Sequence, residues 1–256
     1  MIRLKKPEEI EIMRANGAIV AQVLRECAAA IVPGKTTARH LDALGEKIIA
    51  SHGGTPSFKN YRGYPAAMCI SKNNVVIHGI PDDVPFEEGD IVDLDVGVFR
   101  NGFHADAAWT YPVGEVDRDA QKLLRVSEEA LKQGIAKARV GNRVGDIGAA
   151  VQRYVESNGF SVVRDLVGHG IGRELHEEPS VPNFGKAGKG DLLRPGMTIC
   201  IEPMVNEGTY KVVTLADKWT MVTADGKRSA HFEHTVHITR EGPELLTLDT
   251  LASARS

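Results

Sequence analysis

The chain writes one unit twice, and no other feature limits so strongly what it can fold into. VIHGIP at 76–81 returns as VGHGIG at 167–172, and the flanking sequence returns with it. Each copy is preceded by a Gly-ended turn and a helix-like stretch: PGKTTARHLDALGEKIIASHGG from Pro33, and VGNRVGDIGAAVQRYVESNGF from Val140. Leu41, Leu44, Ile48 and Ile49 in the first, and Ile147, Ala150, Tyr154 and Val155 in the second, recur at helical spacing. Thr36 or Thr37 is the expected N-cap of the first helix, and Gly53 and Gly159 are the expected stops. Each copy is followed by a Gly turn and a short apolar run, EGDIVDLDVG from Glu88 and PGMTICIEPM from Pro195. Laying Gly89 on Gly196 puts Asp95 on Glu202. Hairpin signals RNG and DGK then lead into FHADAAWTYPV and SAHFEHTVHIT, where Asp106 and Glu233 correspond.

Each copy therefore carries a histidine and two strand carboxylates: His78, Asp95 and Asp106, then His169, Glu202 and Glu233. A rough internal two-fold would bring these six groups to one centre. Apolar alternation around the acids predicts half-buried strands. Any one acid alone reads as a solvated surface charge, but four together, buried, would repel one another strongly unless paired or metal-bound. The pattern predicts cations among them. Asp93 shares the face of Asp95, but its repeat partner is Cys200, so it is expected to hydrogen-bond beside the site and not to join the ligand set.

At 256 residues and 42% hydrophobic content the chain can bury a sizeable core. The repeat divides it into halves of about 1–115 and 116–245 within a single catalytic domain, 1–256, leaving 246–256 as a C-terminal tail whose LASARS end is expected to fray. The net charge of −3, from 31 basic and 34 acidic residues interspersed, disfavours a dedicated nucleic-acid protein. MIRLKKPEEIEIMRANG has no apolar signal core, and no run of about eighteen apolar residues occurs, so a soluble cytoplasmic protein without membrane attachment is expected. Cys27, Cys69 and Cys200 lack CxxC spacing and are odd in number, which fits a reduced compartment. Cys27 is expected in the core and Cys200 on the face away from Glu202, neither as a nucleophile.

Helices are expected at 7–31, 37–52, 117–138 and 143–158. Strands are expected near 67–71, 75–79, 91–99, 103–111, 161–164, 197–205, 210–214, 219–223 and 230–238. Helix pairs feeding antiparallel strands, twice over, predict an α+β fold with helices on one face of a curved sheet.

An imidazole with several carboxylates is a ligand set for borderline-hard divalent ions, and the lack of thiolate spacing excludes a Cys-type structural zinc site. Four charges of −1 overcompensate one of +2, whereas two bridged ions balance them. Water acidified between two ions that also polarise a carbonyl gives two-metal hydrolysis. His176, in GHGIGRELHEEP, follows a Gly-rich turn and is expected to contact substrate. His231 shares a face with Glu233 and is expected to flank the site; His40, His52 and His104 have no such placement, and His234 and His237 read as strand residues.

HGIP, DVGV, FHADAAWTY, GHGIGRELHEEP, IEPM and FEHTV together, over about residues 3–245, closely resemble the type I methionine aminopeptidases. Those enzymes have the pita-bread fold, two pseudo-symmetric helix-plus-antiparallel-sheet halves around a central metal site. The resemblance implies removal of the initiator methionine from nascent proteins when the second residue is small, by attack of metal-activated water on the first peptide bond. It implies metal ligands Asp95, Asp106, His169, Glu202 and Glu233, with Asp106 and Glu233 bridging. It makes His78 a substrate-side histidine and not a ligand, His176 the oxyanion stabiliser, and Glu202 also the proton shuttle. The methionine pocket resembles Tyr61, Tyr64, Cys69, Leu175 and Trp219 with Phe58 at its edge; some relatives carry Cys at the position of Phe58 and Phe at that of Leu175. Asn73, Val75 and Ser229 match a monovalent-cation site of relatives.

Mn, Fe, Co and Zn all suit such ligands. The implied partners are nascent N-termini, Met followed by a small residue; a transient ribosome contact is an open expectation and a monomer the default state. The thirty residues between Glu202 and Glu233 leave no room for the large insertion of type II enzymes. Prolidase-like enzymes share the ligand set but carry an extra N-terminal domain, and catalytically silent binding modules of the same fold have broken ligand sets.

Overall fold

The computed structural model describes residues 2–248, so the LASARS segment lies outside the described residues. Four long helices form where apolar periodicity meets local start and stop signals: α1 Pro7–Ala29, α2 Ala38–Ser51, α3 Arg118–Lys137 and α4 Val144–Ser157. Pro7 opens α1, where its missing N–H costs nothing. Thr37, not Thr36, caps α2, its side chain accepting from the His40 N–H at 3.2 Å. The Thr36 hydroxyl donates instead to the Ala30 carbonyl. Left-handed Gly53 and Gly159 follow α2 and α4, as helix ends favour.

The strands are β1 Thr55–Pro56, β2 Cys69–Lys72, β3 Val75–Ile77, β4 Ile91–Arg100, β5 Phe103–Pro112, β6 Ser161–Val162, β7 Gly168–Gly170, β8 Glu177–Val181, β9 Thr198–Ile201, β10 Met204–Asn206, β11 Val212–Thr214, β12 Met221–Thr223, β13 Ser229–His231, β14 His234–Ile238 and β15 Pro243–Leu245. In the first half β4 pairs with β5 on one side and with β1 and β2 on the other. In the second half the order is β15-β14-β9-β7-β8. Two three-stranded sheets, β13-β10-β6 and β11-β12-β3, complete the set, and β12 ties the second half to β3 of the first.

The expectation of one curved sheet is therefore corrected to four sheets, and the reason is local. The predicted strand 197–205 divides because Pro203 has no N–H for a ladder. The predicted strand 230–238 divides because Phe232 and Glu233 turn towards β5. The Glu233 N–H donates to the Ala108 carbonyl at 2.9 Å, and Phe232 bridges to Trp109. On either side threonine hydroxyls replace backbone partners. Thr110 Oγ1 donates to the His231 carbonyl at 2.8 Å and accepts from the His231 N–H at 2.9 Å. Thr235 Oγ1 does the same for both backbone groups of Asp106, at 2.7 and 3.0 Å. This seam joins the two large sheets edge to edge.

Each large sheet has its own core. Ile19, Val23, Leu41 and Ile49 of α1 and α2 meet Val92, Leu94, Val96 and Val98 of β4. Leu123, Leu131, Ile147 and Val151 of α3 and α4 meet Ile199, Ile201 and Val236. Both helix pairs cover the outer face of a sheet, leaving the opposite strand faces to meet across the seam.

Because Thr235 satisfies two buried backbone groups, Thr235→Val is expected to lower stability by about 1–3 kcal/mol in urea denaturation. The exposed Thr214→Val should stay within about 0.5 kcal/mol. Equal effects from the two substitutions would remove the seam from the account.

Candidate metal centre

Strand alternation aims the acids. On β4 the even-numbered residues from Val92 to Val98 pack under the helices, so Asp93 and Asp95 face the other way. On β5 Ala105 and Ala107 are in that core and Asp106 is opposed to them. On β9 Ile199 and Ile201 are core, and Glu202 follows at the strand end. Glu233 reaches the same space through the seam. His169 is the central residue of β7, between two glycines. Here the repeated His-Gly acquires a physical reason. A Cβ at Gly79 or Gly170 would lie 2.3 Å from a neighbouring carbonyl oxygen, of Ile70 and Glu178 respectively. Only glycine after each histidine lets the adjacent chain come that close.

The acids end a cavity of about 180 Å³. Asp95, Asp106, His169, Glu202 and Glu233 line it, with His78, His176, Phe58, Tyr61, Tyr64, Cys69, Leu175 and Trp219. Every residue singled out from the sequence for a catalytic, divalent-metal or methionine-pocket role is thus brought to one space. Trp219 stands edge-on to the Tyr64 ring at 5.2 Å and to the His78 ring at 6.3 Å. The ring of His176 lies 4.2 Å from that of His169, and its Nδ1 is 2.8 Å from the Tyr61 hydroxyl.

The polar atoms at the buried end fit a cation. Asp95 Oδ1, Asp106 Oδ1, Glu202 Oε1 and Glu233 Oε1 are all buried without a hydrogen-bond partner among the described residues. Burial drives the Asp106 carboxyl up to about 7. Burial, then the charges of the neighbouring acids, hold Asp95, Glu202 and Glu233 well above the usual carboxylate range. His169 Nδ1 is 2.9 Å from the Gly170 carbonyl, which can only accept, so the proton sits on Nδ1 and Nε2 carries a lone pair. Burial lowers this imidazole to about 3, so it stays neutral. Its Nε2 lone pair faces Glu202 Oε1 at 3.5 Å, and once that carboxyl is ionised no proton lies between the two. A divalent ion resolves that contact, with the second ring nitrogen already oriented by a carbonyl as metal-bound histidines are.

Cys200 is misplaced by the sequence reading. Positions 200 and 202 are two apart and share a face, and the sulfur, with one atom each of Asp106, His169 and Glu233, falls in a group spanning at most 4.8 Å. Asp95 and Glu202 lie outside that group. The unpartnered carboxylate oxygens are still the better donors for a hard ion, because burial pushes the Cys200 thiol well above its ordinary value. The thiol contacts Thr235 Oγ1 at 3.7 Å. Asp93 is also beside the site, its Oδ2 3.3 Å from His231 Nδ1, and His231 lines the cavity. Arg62 and Ile77 line it too and were not anticipated; Ile77 adjoins His78 in VIHGIP, and no periodicity marks Arg62. Away from the cavity, the Asn73 carbonyl accepts from the Ser229 N–H at 2.9 Å, while Val75 begins β3.

A model of metallopeptidase family M24 matches residues 11–240. The chain belongs to that family. As an M24 metallopeptidase it is 55% identical over 248 residues to a methionine aminopeptidase of Clostridium perfringens, covering 97% of this chain and 99% of that one. It is 49% identical to methionine aminopeptidase 1 of Bacillus subtilis, over 96% and 99% of the two chains. Among solved structures, the methionine aminopeptidase of Thermotoga maritima superposes with a TM-score of 0.95 at 50% identity, over 96% of this chain and 99% of that chain. Prolidase from Pyrococcus horikoshii shares the fold at a TM-score of 0.78 and 23% identity, and the match covers 63% of its length. The M24 fold is thus the α+β pita-bread arrangement expected, and the family uses divalent metal at a cluster such as this one.

The metal-free protein should reveal the repulsion. Raised carboxyl values mean that the unfolded chain sheds these protons first, so the stability they contribute is present at low pH and lost as pH rises. The lowered histidines act oppositely, but only below their unfolded value near 6.5. From about pH 7 to 8.5 the carboxylates dominate, so chelated protein should lose melting temperature across that window and added divalent ion should abolish the loss. A chelated protein equally stable at both ends would contradict the cluster's electrostatics.

Proposed function

We propose that this M24 metallopeptidase is a methionyl aminopeptidase that removes the first methionine of a chain when the second residue is small. One observation carries the reading: the apolar slot of Tyr64, Cys69, Leu175, Phe58 and Trp219 ends at buried carboxylates, so a chain terminus with a free amine, and not a chain interior, suits it. A thioether beside aromatic rings gains a modest further contact. The names of the relatives from Clostridium perfringens and Bacillus subtilis support the same reading.

Asp95, Asp106, His169, Glu202 and Glu233 would hold two divalent ions, with Asp106 and Glu233 shared. Mn, Fe, Co and Zn all suit this set, and availability decides among them. Bound there, such ions supply Lewis acidity towards a carbonyl and make a water more acidic. Glu202 adjoins that chemistry with an unpartnered oxygen and serves as proton carrier from water to the leaving amine. Desolvation, then the charge of Arg62, lowers His176 to about 4, so it acts as a neutral ring. The Tyr61 hydroxyl, 2.8 Å from Nδ1, would donate there and leave the His176 proton on Nε2, available to a developing oxyanion. His78, in a left-handed backbone turn beside Trp219, contacts the scissile amide and with His176 crowds the second residue. That crowding admits Ala, Gly and Ser and rejects Lys, Phe and Leu.

The helix pairs α1/α2 and α3/α4, each backing its own sheet, support reading 1–115 and 116–245 as pseudo-symmetric halves of one domain, with 246–256 as a tail. A monovalent cation near Asn73, Val75 and Ser229 would brace the join between them. No described helix is long and apolar enough to cross a membrane. The working reading is a cytoplasmic monomer acting on nascent chains.

Two substitutions separate chemistry from metal binding. His176→Ala should keep its metal, measured by elemental analysis, and lose about 10²- to 10³-fold in kcat. His169→Ala should lose metal first. Retained rate with lost metal in His176→Ala would overturn its assignment. On wild type, Met-Ala-Ser should be cleaved far faster than Leu-Ala-Ser or Ala-Pro; preference for the Xaa-Pro substrate would point to a prolidase-like enzyme.

A further inference from the structure

Among the described residues that line the cavity, Arg62 is the single Arg or Lys. It is exposed at the mouth, its guanidinium carbon 5.3 Å from the centre of the Tyr61 ring. It forms no hydrogen bond or ion pair with a carboxylate among the described residues. Exposed cations nearby are paired: Lys59 with Glu46, and Arg173 with Glu9. Arg62 is instead held in place by its backbone. Asn60, Arg62 and Gly63 all take left-handed angles, with φ of 67°, 50° and 90°. The turn is closed by Asn60 N–H to Tyr64 O at 2.8 Å and Tyr64 N–H to Tyr61 O at 3.0 Å. A non-glycine residue in this region carries strain that the surroundings must impose. The consequence of that turn is that Tyr61 and Tyr64 face the cavity while the guanidinium stands at its rim.

The cavity is polar and buried at one end and open at the other, where Tyr61, Arg62, His176 and Trp219 lie. If the first residue and its amine occupy the buried end, as the aminopeptidase reading on which this inference rests requires, the rest of the peptide leaves past Arg62. Two residues of extended chain span about 7 Å, so the third and fourth residues come within reach of an arginine side chain at the rim. We infer that Arg62 is a specificity-determining residue that favours substrates with Asp or Glu at the third or fourth position and disfavours Lys or Arg there. The carboxylate it meets is supplied by the substrate, which is why the protein leaves the guanidinium without one.

The test compares Met-Ala-Asp-Ser, Met-Ala-Gln-Ser and Met-Ala-Lys-Ser by kcat/KM in the metal-loaded enzyme, at low ionic strength and in about 0.5 M salt. The wild type should prefer the Asp over the Lys peptide by about three- to tenfold, one weak attraction plus one weak repulsion, expressed mainly in KM. High salt should flatten the ratio. Arg62→Gln should bring it close to one, and Arg62→Lys should restore most of it. Because each ratio is taken between substrates of one protein, loss of folded material cancels. An unchanged ratio in Arg62→Gln, or a wild-type ratio indifferent to salt, would overturn the assignment. Failure of the wild type to cleave even Met-Ala-Gln-Ser would count against the aminopeptidase reading itself.

Discussion

Four carboxylates share one buried space, and their mutual repulsion is the constraint around which the molecule is organised. Asp95, Asp106, Glu202 and Glu233 each point an unpartnered oxygen into it, and the lone pair of His169 Nε2 faces one of them. Without cations the arrangement is held only by what surrounds it. Burial raises the carboxyl values and lowers the imidazole, so every group there is pushed towards neutrality. The apolar cores on the outer faces of the sheets supply the opposing free energy, since Val92, Leu94, Ile199 and Ile201 lock the strands that carry Asp95 and Glu202. Binding of ions turns this stored repulsion into affinity, which ties folding stability, metal loading and function to the same atoms.

The join between the halves is what makes the site a single one. Asp106 belongs to β5 and Glu233 to the break before β14, and the register that sets them side by side depends on Thr110 and Thr235. The break in the ladder before β14 lets the Glu233 N–H pair with the Ala108 carbonyl of β5. The hairpin of β11 and β12 adds a second link, pairing with β3 so that Trp219 comes beside His78. The apolar slot and the carboxylate cluster of the cavity are therefore built from both halves.

Much of this was legible in the chain because strands repeat every two residues and the unit occurs twice. Asp95 and Asp106 are flanked by unbroken apolar alternation, so their direction followed from parity. Parity also places Cys200 on the face of Glu202, and the structure puts its sulfur among the site groups and not on the far face expected. The four sheets were not legible, because their boundaries depend on Pro203 and on Glu233 leaving its ladder for β5. β7 has two glycines in three residues and no propensity to announce it, yet it carries His169. The return of VIHGIP as VGHGIG, not strand periodicity, points to that histidine. Arg62 had no signal at all: its place at the rim depends on a left-handed turn that only the folded chain displays.

The central claim is that the carboxylate cluster exists to hold divalent ions and is inert without them. The most direct measurement is hydrolysis of a Met-Ala peptide by protein stripped of metal, with its content verified by elemental analysis, and then titrated with Mn²⁺. The account predicts no turnover in the stripped protein, recovery on titration, and binding that saturates at two equivalents. Full hydrolysis by protein shown to contain no metal would contradict it.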